Sequence, residues 1–186
     1  MVRTLIGGLL GGIAMFFVGF LFWGTPLSLI AFGRTDDATA QALQAALAQH
    51  LGPLGTATYP IPNPSTVVGT ELYGKGPVAI VHFTNAGFAA MDTTSLIGGL
   101  VLGVLCAMLV AWAVRAFAAN GSFTDRFKLV ALIGLAVTAY TDIGQPVFNH
   151  APWSYYIYLW ISDLASWVAA GAVIGWFVPK STRDIA

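Results

Sequence analysis

Residues 5–23 read LIGGLLGGIAMFFVGFLFW, an apolar run with no charged side chain. About twenty such residues cross a bilayer core as one helix, because lipid offers no partner for an open backbone. Only Arg3 precedes the run as a basic residue, and no small-x-small cleavage pattern follows before Pro26. The run is also longer than the core of a secretory signal, so it reads as an uncleaved anchor. Working outward, Leu96 to Phe117, Phe127 to roughly Phe148 and Tyr155 to Val178 are likewise predominantly apolar. Gly24-Thr25-Pro26 should break or kink the first helix, since proline removes a backbone donor and clashes one turn back. Leu27 to Phe32 then continues along the interface. The expected fold class is mainly α: a four-helix transmembrane bundle with a small α+β extracytoplasmic insertion between helices 1 and 2. Its parts are residues 1–33, 34–92 and 93–186.

Composition agrees. Of 186 residues, 57% are hydrophobic and 9% charged, where a soluble domain carries about a quarter charged. The net charge is zero, which gives no reason to expect nucleic acid, whose phosphates call for a clustered basic face. Cys106 is the single cysteine and sits in an apolar run, which rules out an intrachain disulfide and a thiol metal cluster. Phosphate loop, nucleophile elbow and metalloprotease helix are all missing, and the serines near Asp163 have no partnered base. The expectation is a non-enzyme with no cofactor and no metal.

Basic residues orient the spans. Arg3, Arg115, Arg126, Lys128, Lys180 and Arg183 fall on one side of a four-pass topology, and only Arg34 and Lys75 on the other. The positive-inside rule puts both termini in the cytoplasm. Trp23, Trp153, Tyr155 and Tyr156 then stand where an outer aromatic belt belongs.

The outer segment carries its own code. Thr35-Asp36-Asp37 can cap a helix, Leu43, Leu47 and Leu51 recur at helical spacing, and Gly52-Pro53 stops the run. Ala57 to Ile61 and Pro77 to Phe83 are rich in β-branched and aromatic residues, and Gly74-Lys75-Gly76-Pro77 is turn chemistry between Thr66–Tyr73 and the latter. One amphipathic helix on a two- or three-stranded antiparallel sheet is expected. So small a module should pack on the membrane helices or on a partner.

Gly8 and Gly12, Gly99 and Gly103, and Gly171 and Gly175 are each four apart. That spacing lets helix backbones approach in lipid, within the chain or between subunits.

Two acids lie inside the spans, Asp142 in the third and Asp163 in the fourth. A charge there costs several kcal/mol at mid-bilayer, so it faces the bundle or water (roughly 2.5–3.5 on an insertion scale). Thr138, Asp142, Gln145 and Asn149 form one polar stripe, and Pro146 leaves the Asp142 carbonyl without its usual donor. Ser162, Asp163 and Ser166 sit within about one turn on the neighbouring helix, with Tyr156 and Trp160 above. The cluster either fixes helix packing through hydrogen bonds or binds a cation, a proton or a small polar ligand. His50, His82 and His150 are all expected on the outer side, without ligand spacing.

Gly7-Gly8, Tyr59-Pro60, Gly76-Pro77-Val78-Ala79, Asp142 and Ser162-Asp163 together resemble an uncharacterised group of bacterial four-pass membrane proteins. The resemblance implies the bacterial inner membrane, hence a periplasmic outer module, and assigns no activity. The first functional expectation is an accessory membrane protein that assembles a partner or itself within a larger complex, in contact with membrane lipid. Its rival is a small transporter or cation-binding protein using Asp142 and Asp163.

Overall fold

The computed structural model describes residues 1–179; Lys180, Ser181 and Arg183 lie outside the described residues. Four helical stretches are long and apolar enough to cross a membrane: α1 (Val2–Trp23), α4 (Thr93–Ala118), the segment Phe123–Asn149, and α7 (Trp153–Phe177). The third segment is built from α5 (Phe123–Thr138), a π-helical turn (Ala139–Ile143) and α6 (Gly144–Asn149). Mean hydropathy is 2.3 and 2.5 for the first two spans but 1.5 and 1.6 for the last two. The last pair therefore carries the polar side chains.

Helix ends follow local chemistry. The chain stops α1 at Gly24 and makes a 3₁₀ segment, Pro26–Ile30, capped by Thr25, whose hydroxyl accepts from Leu27 N at 3.2 Å. Sequence reading starts the third span at Phe127, but it begins at Phe123. A reciprocal capping box explains this: Ser122 Oγ accepts from Asp125 N at 3.2 Å, and the Asp125 carboxylate accepts from Ser122 N at 2.8 Å.

The spans alternate in direction, and glycine sets their separation. A Cβ at Gly7 would lie 2.8 Å from Phe177 Cβ, and one at Gly11 would lie 3.0 Å from Ile174, so these two glycines seat α1 on α7. Gly8 faces Met108, and a Cβ at Gly12 would collide with the Val104 backbone, so the other two seat α1 on α4. Gly171 packs on Val130 and Gly175 on Phe127 and Phe123, joining α7 to α5. Gly103 lies against the Gly12 carbonyl, while Gly99 is looser, its nearest neighbour Phe16 lying 3.9 Å from the added Cβ. The aliphatic core (Ala107, Ala111, Val114, Val130, Ala170, Ile174 and Val178) fills the half of the bundle holding the α1 N-terminus. Arg126 is buried there and donates through Nε to the Gly175 carbonyl at 3.1 Å, near the end of α7.

Gly33–Asp92 forms a second compact unit. It holds α2 (Asp37–Leu51), β1 (Ala57–Ile61), α3 (Val67–Lys75) and β2 (Ala79–Phe83). Asp36 caps α2 by accepting from Thr39 N at 2.9 Å. The strands pair antiparallel, with Tyr59 opposite Val81. The sheet has two strands, and Thr66–Tyr73 supplies no third. Thr66 instead caps α3, its hydroxyl accepting from Gly69 N at 2.9 Å, so the two following valines enter a helical turn despite their β preference. The leucine stripe of α2 is not laid on the sheet: Leu51 is buried, but Leu43 is 55% exposed. Asn85 ties the end of that helix to the strands, donating from Nδ2 to the Gly52 carbonyl at 3.0 Å and from N to Thr56 Oγ1 at 3.2 Å.

Candidate functional site

Pro146 decides the local shape of the third span. Its nitrogen cannot donate to the carbonyl four residues back, and its ring crowds that turn. The helix answers by widening into the π-turn Ala139–Ile143 just before the proline. Such turns are rare and concentrate at functional sites. A wider turn also shifts the buried face: Thr138, Asp142 and Pro146 are buried, whereas Gln145 is only half-buried and Asn149 is exposed. The continuous stripe expected from α-helical spacing is therefore broken at Gln145. That side chain turns to Asn149 instead, accepting from its Nδ2 at 2.8 Å.

The unpaired acceptor is also not the one expected. The Asp142 carbonyl accepts the Gly144 N–H. The unsatisfied atom is on the side chain: Asp142 is 7% exposed, and its Oδ2 is buried with no hydrogen-bond partner. Oδ1 lies 3.0 Å from Thr141 Oγ1, but that hydroxyl also faces the Val137 carbonyl at 3.0 Å and the Thr138 carbonyl at 3.5 Å. A threonine has one proton to give, so Asp142 receives at most a share of one donor.

The neighbouring hydroxyls turn their protons away. Thr138 donates to the Gly134 carbonyl at 2.8 Å, and Ser166 to the Ser162 carbonyl at 2.9 Å. Ser162, fully buried, accepts from Trp23 Nε1 at 2.9 Å. Asp163 is half-buried on α7 and within coulombic range of Asp142. Two carboxylates and back-bonded hydroxyls thus collect oxygen lone pairs in an apolar setting. This chemistry suits a positive ion or a proton and repels an anion.

Aromatic rings wall this half of the bundle. Trp23 meets Tyr158 at 5.2 Å and Tyr155 at 5.9 Å between ring centroids, and Phe32 meets Tyr155 at 5.6 Å. Tyr158 donates to the Phe22 carbonyl at 2.7 Å, so α1 and α7 are joined by two hydrogen bonds here. The indole N–H of Trp160 is buried without a partner.

Sequence reading assigns Trp23 to a belt and passes over Thr141 and Tyr158. Belt composition conceals an indole that points inward, and a threonine next to an acid in sequence does not announce a hydrogen bond to it. Of the histidines, His82 lies on β2 with Nδ1 2.9 Å from Thr58 Oγ1, His50 lies on α2, and His150 ends α6 with φ 51°. No family model matches the chain, and comparisons with curated proteins and with solved structures likewise find no match.

Proposed function

We propose that this chain is a small integral membrane protein that binds a proton or a metal cation between Asp142 and Asp163. The observation that carries this reading is the buried, donor-less Oδ2 of Asp142. An ion pair or hydrogen-bond set built only for packing would satisfy that oxygen, because an unsatisfied buried polar group costs about 1–3 kcal/mol. A proton on Asp142 would remove the buried charge: carried on Oδ1, it could be donated to Thr141 Oγ1, and Thr141 could keep its own proton for the Val137 carbonyl. A cation would do the same through both carboxylates.

The test is thermal unfolding of the purified protein across pH, with sodium or potassium chloride against a choline salt. Wild type should show a dependence on pH or on the metal cation that Asp142→Asn and Asp163→Asn lose while keeping the fold. Identical profiles for all three proteins would refute the reading.

A second reading, the accessory subunit, draws support from the Gly33–Asp92 unit. There Val67 is 80% exposed, Val68 67%, Phe88 78% and Met91 65%, an apolar surface that fits a partner protein. Co-purification from native membranes in mild detergent tests it: a stoichiometric companion supports it, and its absence counts against it.

The orientation belongs to the proposal too. Arg3, Arg115, Arg126 and Lys128 gather at the end of the bundle opposite Trp23 and Tyr155, which supports cytoplasmic termini, an extracytoplasmic outer unit and, with the resemblance above, a bacterial inner membrane. A cysteine placed at Thr56, with Cys106 replaced, should react with an impermeant thiol reagent on intact cells. Protection of that position would reverse the orientation.

A further inference from the structure

The outer surface of the α1–α4 pair carries a groove of about 440 Å³ lined by Thr4, Leu5, Leu105, Met108, Leu109 and Trp112. Its volume falls in the range of ligand pockets, roughly 300–1,000 Å³. Apart from Thr4 the lining is apolar, and Leu5, Leu105, Leu109 and Trp112 are all more than half exposed, so the groove opens toward the hydrocarbon. From Trp112 to Leu105 it runs about 10 Å along the helix, most of one leaflet's half-thickness of about 15 Å.

One end is charged. Arg115, one turn beyond Trp112, reaches back to the groove wall, its Nη1 donating to Thr4 Oγ1 at 3.4 Å. Among the described residues this is the only hydrogen bond given to its guanidinium, and no carboxylate pairs with it. Arg3 adds an exposed positive charge beside Thr4. An apolar slot ending at an arginine with free donors matches a phospholipid: the acyl chain lies along Leu109 and Leu105, and the phosphate meets Arg115.

We propose that this groove is a binding site for an anionic phospholipid, with Arg115 as the headgroup contact. The Asp142 site is separate from it, and neither proposal depends on the other. Purified protein is titrated in detergent with dioleoyl phosphatidylglycerol or dioleoyl phosphatidylcholine, and bound lipid is read by native mass spectrometry. Phosphatidylglycerol should be retained about fivefold better, the factor one arginine near a membrane surface contributes. Arg115→Gln should reduce that preference to the part Arg3 supplies, Arg115→Gln combined with Arg3→Gln should reduce it to none, and Arg34→Gln, in the other unit, should leave it intact. Phosphatidylglycerol with brominated chains should quench wild-type fluorescence through a component that Trp112→Phe removes. Equal retention of the two lipids by wild type would overturn the proposal, as would a preference that Arg115→Gln leaves unchanged. Quenching unaffected by Trp112→Phe would place any bound lipid elsewhere. Should Arg115→Gln fail to fold, the wild-type lipid comparison and the Trp112 experiment decide the matter.

Discussion

The two halves of the four-helix bundle are held by opposite means. Where α1 begins, Gly8 meets Met108, Gly12 meets Val104, and Ile174 and Val130 are fully buried in an aliphatic core. Where α1 ends, the glycine contacts have given out: a Cβ at Gly19 would find only Ser166 Oγ, at 3.9 Å. There α1 is held by Trp23 to Ser162 and Tyr158 to Phe22. Backbone-to-backbone packing leaves no room for chemistry. Side-chain hydrogen bonds between bulkier residues do, and the under-satisfied Asp142 lies in that half. The contrast separates a rigid anchor from a polar chamber within one set of helices.

Crowding the anchor should do the most damage. Gly12→Leu drives a side chain into the Val104 backbone, so the α1–α4 contact must open, at a cost of at least ~3 kcal/mol, the upper range for overpacked cores. Gly99→Leu, on the looser glycine pair, should be absorbed with little loss. Detergent-solubilised yield and midpoint of thermal unfolding compare them, and equal damage would erase the distinction between tight and loose contacts.

The chamber should respond in the other direction. At alkaline pH and without metal cations, Asp142→Asn should raise stability by about 1–3 kcal/mol, because an amide offers donors to an acceptor-rich cluster. A loss of stability under those conditions would mean the carboxylate is already satisfied.

Trp23→Phe keeps the ring and removes the bond to Ser162, a loss of about 0.6 kcal/mol and at most ~1.7 for an interhelical bond in a membrane protein. A null effect in a double-mutant cycle with Ser162→Ala would show that this bond does not help hold the half together, leaving the rings and the Tyr158 bond to Phe22.

The smallest effect lies outside the bundle and serves as a reference. The backbone N–H of Thr39, and then its hydroxyl, hold the Asp36 carboxyl below the usual carboxylate range. A lowered folded value means the cap contributes above the ordinary carboxylate pKa and is lost as pH falls through the lowered one. Protection of the Thr39 amide, its exchange rate taken relative to the intrinsic rate at each pH, should fall on acidification, and Asp36→Ala should abolish that dependence without touching the long apolar helices.

Much of this was legible in the residues. Four apolar runs announce four spans, because hydropathy is summed over many positions and survives local detail. Pro146 signals a disturbance one turn earlier, but proline can kink, break or widen a helix, and spacing does not say which. A plain α-helix puts both Gln145 and Pro146 on the face of Asp142, whereas the structure buries Pro146 and leaves Gln145 half-buried. Glycine spacing shows Gly8 with Gly12 but not that Gly7 and Gly11 serve a different neighbour, since a repeat on one helix does not name its partner. Arg126 reads as a topological charge, and only the fold shows it reaching the Gly175 carbonyl. Thr66 illustrates the reverse failure: a cap three residues ahead of the N–H it accepts outweighs two β-branched valines.

The most direct test of the chamber is infrared difference spectroscopy of the protein reconstituted in lipid, titrated with pH and with sodium chloride. A protonated carboxyl band should disappear on raising pH or on binding the cation, and Asp142→Asn should lack that change. Spectra that stay the same in wild type and variant across both titrations would show that Asp142 neither exchanges a proton nor meets a cation, and the ion site would have to be abandoned.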